Sequence, residues 1–188
     1  WIGRLRTQWL QKSGCDNSAS STREIPATRP QRDTTWQASG GEAMANSDSV
    51  VEGSAVVAAA VGEWGRVDIV VNNAGILRDK SFKKMALEDW DIVLKVHLSG
   101  SAYVTHAAWP HMNAQGYGRI VLTSSSSGIY GNFGQTNYGA AKAGIAGFMR
   151  CLWLEGIKYG ITVNVLAPTA TSRLTTDILP EEVQENFP

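Results

Sequence analysis

From Gly40 onward, apolar and polar positions alternate in blocks that change period along the chain. Residues 42–50, EAMANSDSV, read as a short strand ending in a polar turn. VVEGSAVVAAAVGEWG then sets Val50, Val57, Val61 and Trp64 at helical spacing. VDIVVNNAG is a continuous apolar run closed by Asn and Gly, the pattern of a parallel strand covered on both faces. Residues 86–112 read as one long helix, with Glu88 and Asp89 near its start, where the helix dipole favours acids. GRIVLTSSS is a second buried strand, residues 137–160 a further helix, and GITVNVLAP a third apolar strand. Strand and helix in alternation predict an α/β fold: a parallel sheet with helices on both faces. Residues 15–39 break the pattern. They hold few aliphatics, two prolines and no period, and read as loop or disorder. The organisation expected is an irregular segment over 1–39 and one α/β domain over 40–188.

Composition narrows the function classes. The chain has 188 residues, of which 43% are apolar, enough for one core. Its formal net charge is zero, which favours neither nucleic acid nor an anionic membrane as partner. No stretch reaches transmembrane length and no leader pattern opens the chain. Cys15 and Cys151 lie far apart, outside any metal-ligand spacing, and read as free thiols; no metal site is expected. Trp1 in place of Met, and a last stretch without a closing element, read as a chain cut at both ends.

Candidate chemistry sits at the ends of the apolar strands. Tyr138 and Lys142 are four apart on a predicted helix and share a face. A free phenol, with a pKa near ~10, is a poor base at neutral pH. A nearby ammonium stabilises the phenolate, and the pair can then take a proton from an alcohol or give one to a ketone. Ser125 lies thirteen residues earlier, at the carboxyl end of a predicted strand, where open parallel sheets bind ligands. Its hydroxyl can steady a substrate oxygen. Ser124, Ser126 and Ser127 read as ordinary solvated loop. Asn72-Asn73-Ala74-Gly75 follows one buried strand, and its small residues permit close approach of a cofactor. Asn164 through Pro168 ends another. Gly139, Ala140, Ala143, Gly144 and Gly147 read as a small-residue side of the last helix, suited to the sheet or to a second subunit.

In order and spacing, Asn72-Asn73-Ala74-Gly75, Ser125, Tyr138-x-x-x-Lys142 and Asn164 through Pro168 resemble the short-chain dehydrogenase/reductase family. The likeness runs from about Gly40 to the end. The stretch from Gly128 to Tyr138, with Val96-His97-Leu98 and Ser172-Arg173-Leu174-Thr175, further resembles the (3R)-hydroxyacyl-CoA dehydrogenase unit of multifunctional type 2 enzymes and their bacterial single-domain relatives. The resemblance implies a Rossmann-like, doubly wound parallel sheet. The family's first, second and last strands are not evident here, and Ile2-Gly3-Arg4 stands as the remnant of its glycine-rich motif. A sheet so shortened is expected to be poorly stable or to associate. The implied activity is hydride transfer between NAD, with NADP as the alternative, and a secondary alcohol or ketone, 3-hydroxyacyl-CoA or 3-oxoacyl-CoA. Tyr138 would act as general acid/base, Lys142 would lower its pKa and hold the nicotinamide ribose, and Ser125 would orient the substrate. His97 stands where many members carry an asparagine of a proton relay, and would pass a proton. Gly3, Asp48, Ser49, Asn72, Ala74, Gly75, Pro168, Thr169 and Thr171, with Tyr138 and Lys142, would contact the cofactor. The implied partners are an acyl-CoA and a homodimer or homotetramer, in a bacterial cytoplasm or, for a eukaryotic chain, a peroxisome. A 3-oxoacyl carrier-protein reductase and a non-catalytic fragment or dimerisation partner are the alternatives.

Overall fold

The computed structural model describes residues 42–168 and the backbone of a two-residue strand, Gln8–Trp9. That strand, β1, opens a four-stranded, wholly parallel sheet in the order β1-β2-β3-β4, with β2 at Ile69–Asn72, β3 at Gly118–Thr123 and β4 at Ile161–Leu166. Register aligns Val70 with Ile120 and Ile120 with Val163, so one row of buried side chains crosses three strands.

The strand order advances one way, and right-handed crossovers then place every connecting helix on the same face. Helices α1 (Gly53–Trp64), α2 (Leu87–Leu94), α3 (Gly100–Gln115), α4 (Ser126–Tyr130) and α5 (Thr136–Gly156) make up the helical part. Val56, Val57 and Ala60 of α1, Val104, Ala108 and Met112 of α3, and Ile145 of α5 form one core with Val70, Ile120, Leu122, Ile161 and Val163. β3 alternates: Ile120 and Leu122 are fully buried, and the residues between them are half-buried. Among the described residues no second helical layer of the doubly wound expectation is seen.

Two boundaries differ from the pattern-based reading. Residues 42–49 form no strand. Their polar groups close locally instead, with the Asn46 side chain bonded to both the carboxylate and the backbone N–H of Asp48. A strand exists only through its neighbours, and the position beside β2 is taken by Gln8–Trp9, a pairing too short to leave a period in the sequence. The long helix over 86–112 is present, but it carries a π turn at Lys95–Ser99 between α2 and α3, with His97 buried inside it. Such wide turns recur at functional sites.

Close packing rests on glycine at two points. A Cβ on Gly53 would sit 2.4 Å from the backbone of Tyr103 and Val104, so α1 meets α3 backbone to backbone. A Cβ on Gly128 would sit 2.7 Å from Lys142, which fixes α4 against α5 beside the candidate chemistry.

Candidate active site

The carboxyl edge of the sheet gathers Ser125, Tyr138, Lys142 and His97. Lys142 is buried on α5 and its Nζ donates to the Thr123 carbonyl at 2.5 Å, at the end of β3. Its own carbonyl accepts from the Ser124 hydroxyl at 2.7 Å. Strand end and helix are thus tied at both ends of one residue. Burial lowers the Lys142 pKa to about 8. An ammonium has three donors; one goes to Thr123, and no other hydrogen-bond partner occurs among the described residues.

Tyr138 stands one turn earlier on α5. Its ring meets the His97 imidazole edge to face, 5.1 Å between centroids and 88° between planes. Burial raises its pKa; a hydrogen bond with Ser125 lowers it, and the Asp79 carboxylate raises it further. The net direction is upward. The Lys142 ammonium sits 5.5 Å from the ring centroid and spends a hydrogen bond on Thr123, so burial sets the direction, and Ser125 is the group that favours the phenolate.

His97 is 3% exposed. Its Nε2 lies 2.8 Å from the Ile76 carbonyl oxygen and 3.0 Å from the Ile76 N–H, of which a neutral ring satisfies one at a time. Nδ1 is buried with no partner among the described residues. Burial first, then the Lys142 charge, lowers its pKa to about 4. The lowered value favours the neutral ring at pH 7, with one nitrogen an acceptor and the other a donor. The ring also fills the space above Gly75, where a Cβ would come within 2.3 Å of Cε1.

The His97 shift carries a stability signature. The unfolded chain takes up this proton below about pH 6.5, and the folded chain only below about pH 4, so stability is lost as pH falls through that window. Urea midpoints should give about 2 kcal/mol less stability at pH 5 than at pH 7 from this group alone. His97→Asn should flatten that slope. An unchanged acid slope in the variant would refute the assignment.

Ser124 and Ser127 are not solvated loop, whereas Ser126 is exposed at the start of α4. Ser124 is buried and bonded to α5, Ser125 caps α4 by accepting from the Ser127 N–H at 3.3 Å, and Ser127 donates to Gln135 Oε1 at 2.8 Å. The small residues of α5 only partly meet the rest of the described chain. Gly139 lies against Ser127 and Gly144 against Leu98, whereas Ala140 and Ala143 are exposed and Gly147 has open space.

The cofactor candidates are less gathered. Asn72 Nδ2 donates to Thr105 of α3 at 3.0 Å, and Ala74 and Gly75 follow beneath His97. Asp48 is exposed, and Ser49 precedes the 3-10 turn Val50–Glu52, which packs on Gly100. Pro168 is exposed beyond β4. Gly3, Thr169 and Thr171, with residues 172–175, lie outside the described residues. The donor set that is described (a buried ammonium, a phenol and a serine hydroxyl at one sheet edge) fits the hydroxyls of a ribose and a substrate oxygen. No group of three possible metal ligands occurs among the described residues. No described helix is long and apolar enough to cross a membrane.

Sequence reasoning passed over Asn137. It is fully buried, and its Nδ2 donates to the carbonyls of Arg78 and Asp89 at 3.1 and 3.2 Å while its Oδ1 accepts from the Tyr138 N–H. It thereby aims the start of α5. The available signal was an asparagine at a helix start, immediately before the tyrosine.

The family model for short chain dehydrogenases matches residues 2–185. The chain belongs to the short-chain dehydrogenase family. It is 58% identical, over 146 residues, to peroxisomal multifunctional enzyme type 2 of Mus musculus, covering 78% of this chain and 20% of that protein. It is 37% identical to an acetoacetyl-CoA reductase of Shinella zoogloeoides, covering 97% of this chain and 74% of that one. The solved full-length peroxisomal multifunctional enzyme type 2 from Drosophila melanogaster superposes with a TM-score of 0.67 at 43% identity, covering 81% of this chain and 26% of that one. This short-chain dehydrogenase thus spans about a fifth of the mouse protein and a quarter of the fly chain. Its α/β sheet is the expected Rossmann-like class, and the family is one of oxidoreductases.

Proposed function

We propose that the chain transfers hydride between NAD and the 3-hydroxy or 3-oxo group of an acyl-CoA thioester. The observation that carries this reading is the convergence of Ser125, Tyr138 and the buried Lys142 on one sheet edge. The bound dinucleotide supplies or accepts the hydride. Tyr138 gives a proton to the ketone oxygen in reduction and takes it from the hydroxyl in oxidation. Its raised pKa keeps it protonated at neutral pH and suits it to the donor role. Ser125 holds the same substrate oxygen by hydrogen bonding. Lys142 offers its remaining donors to the nicotinamide ribose, and Asn72, Ala74 and Gly75 line the adenosine side, with Asp48 and Ser49 toward the adenine. Gly3 and the run Pro168, Thr169, Thr171 complete the cofactor contacts. His97 contributes position rather than proton transfer, as a neutral wall behind Tyr138. The acyl-CoA assignment is supported by the likeness to an acetoacetyl-CoA reductase and by the sequence around Gly128–Tyr138. A homodimer or homotetramer, in a bacterial cytoplasm or a peroxisome, is part of the same reading.

A thermal-shift titration with NAD, NADH and NADPH tests it, followed by acetoacetyl-CoA reduction watched at the nicotinamide absorbance. Ligand at about a hundred times Kd adds about 2.7 kcal/mol, so Tm should rise by roughly 5 °C or more with NADH. A larger shift with NADPH would move the reading to the carrier-protein reductase. No shift with any dinucleotide would sink it and leave a non-catalytic fragment.

A further inference from the structure

Gln135 opens α5, yet its side chain makes no capping bond to that helix. It is 9% exposed, and its polar atoms reach three other places. Nε2 donates to Asp79 Oδ2 at 2.7 Å, while Oε1 accepts from the Ser127 hydroxyl at 2.8 Å and from Asn132 Nδ2 at 3.1 Å. Two more bonds run alongside: the Lys80 N–H to the Gly134 carbonyl at 2.9 Å, and Asn137 to the Arg78 carbonyl. The strip 78–80 after β2 is therefore stapled to the start of α5.

The loop so held joins Ser125 to Tyr138. Apolar burial does not fix its outer part, because Tyr130 is 85% and Phe133 91% exposed. Gly131 and Gly134 have φ of +81° and +80°, a region that glycine enters without strain. Gly128 packs α4 on α5, and beyond it polar bonds hold the outer part, three of them on one carboxamide. Ser127 extends the chain to the chemistry, since its N–H is bonded to the Ser125 hydroxyl.

We propose that Gln135 is a positioning residue: by tying the 126–134 loop to Asp79, it sets the Ser125 and Tyr138 hydroxyls on one substrate oxygen. The proposal rests on the hydride-transfer reading for its kinetic consequence, but not for its structural one. Gln135→Glu keeps an acceptor for Ser127 and Asn132 and replaces the donor to Asp79 with a like charge. Adding Asp79→Asn restores a donor–acceptor pair in the opposite sense. Asp79→Ala cuts the same bond from an exposed position that threatens no core.

The kinetic test measures kcat, KM and the dinucleotide-induced thermal shift for the parent, the three single variants and the double variant. Gln135→Glu and Asp79→Ala should lower kcat by about tenfold or more, with KM and the dinucleotide shift near parental values. Asp79→Asn alone keeps an acceptor for Gln135 and should leave hydrogen exchange of residues 126–134 at the parental rate, while its lost charge also acts on Tyr138. The double variant should recover to within about threefold of the parent, as a coupled pair requires. Hydrogen exchange of residues 126–134, read without substrate, should quicken in the two broken variants and slow again in the double. Failure of Asp79→Asn to rescue Gln135→Glu in exchange would overturn the latch, as would parental turnover in both broken variants. A parent chain without turnover would sink the hydride-transfer reading and the kinetic half of this one. The exchange comparison would still decide the latch.

Discussion

Tyr138→Phe should lower turnover by about a thousandfold, within the range that a positioned acid or base supplies, while the dinucleotide-induced thermal shift persists. The substitution removes one oxygen and leaves the ring that packs edge to face on His97. Folding stability should hardly change, because the lost bond to Ser125 is offset by the hydroxyl no longer buried. The pH profile of the parent gives a second reading of the same group. A phenol whose pKa burial has raised donates well at neutral pH and accepts poorly. Ketone reduction should thus be favoured near neutrality, and alcohol oxidation should climb with pH. Steady-state rates in both directions, from pH 6 to 10, check this. A Tyr138→Phe chain that turns over like its parent would remove the phenol from the chemistry.

Gly53→Ala should be among the most damaging small substitutions in the described fold. Its methyl would lie 2.4 Å from the backbone of Tyr103 and Val104, and a backbone inside α3 cannot step aside as a flexible side chain can. Overpacking of this kind costs about 3 kcal/mol, a large part of the ~5–15 kcal/mol that holds a domain together. Gly62→Ala is the matched control in the same helix. Nothing lies within 4 Å of its Cβ, so it should gain about 0.5–1 kcal/mol from helix propensity. Urea unfolding of the two variants should move the midpoint in opposite directions. A Gly53→Ala chain as stable as its parent would mean that α1 and α3 do not meet at this crossing.

The parts of the fold that sequence reveals are those held by a long apolar period. β2, β3 and β4 and the helices α1, α3 and α5 lie where the pattern puts them, because Val70, Ile120, Leu122 and Val163 must be buried wherever they fall. Residues 42–50 misled because Ala43, Met44 and Ala45 look like a short apolar run, while a strand also needs a free neighbour, which no local pattern reports. β1 hid for the opposite reason: two residues carry no period. In the site, Tyr138, Lys142 and Ser125 were legible from spacing and strand ends. Gln135, Asp79 and Asn137 were not, because their partners lie 48 to 59 residues away in the chain. The serine run shows the same limit. Composition alone cannot separate a solvated hydroxyl from one bonded to the Lys142 carbonyl. The sign of the Tyr138 shift also depends on burial against charge, a balance that spacing does not contain.

The π turn at Lys95–Ser99 has a consequence for how this helix tolerates change. A wide turn of this kind holds one residue more than an α-helical turn, in a rod that keeps its hydrogen-bonded ladder on either side. Removing a single residue there would let the rod close into regular α-helix without rotating either flank. Val93 before the turn and Val104 after it would both still face the core. What would be withdrawn is the bulge that carries the imidazole over Gly75 and against the phenol. The surplus residue acts as a removable spacer, so the setting of Tyr138 can be altered while the core packing of both flanks is kept.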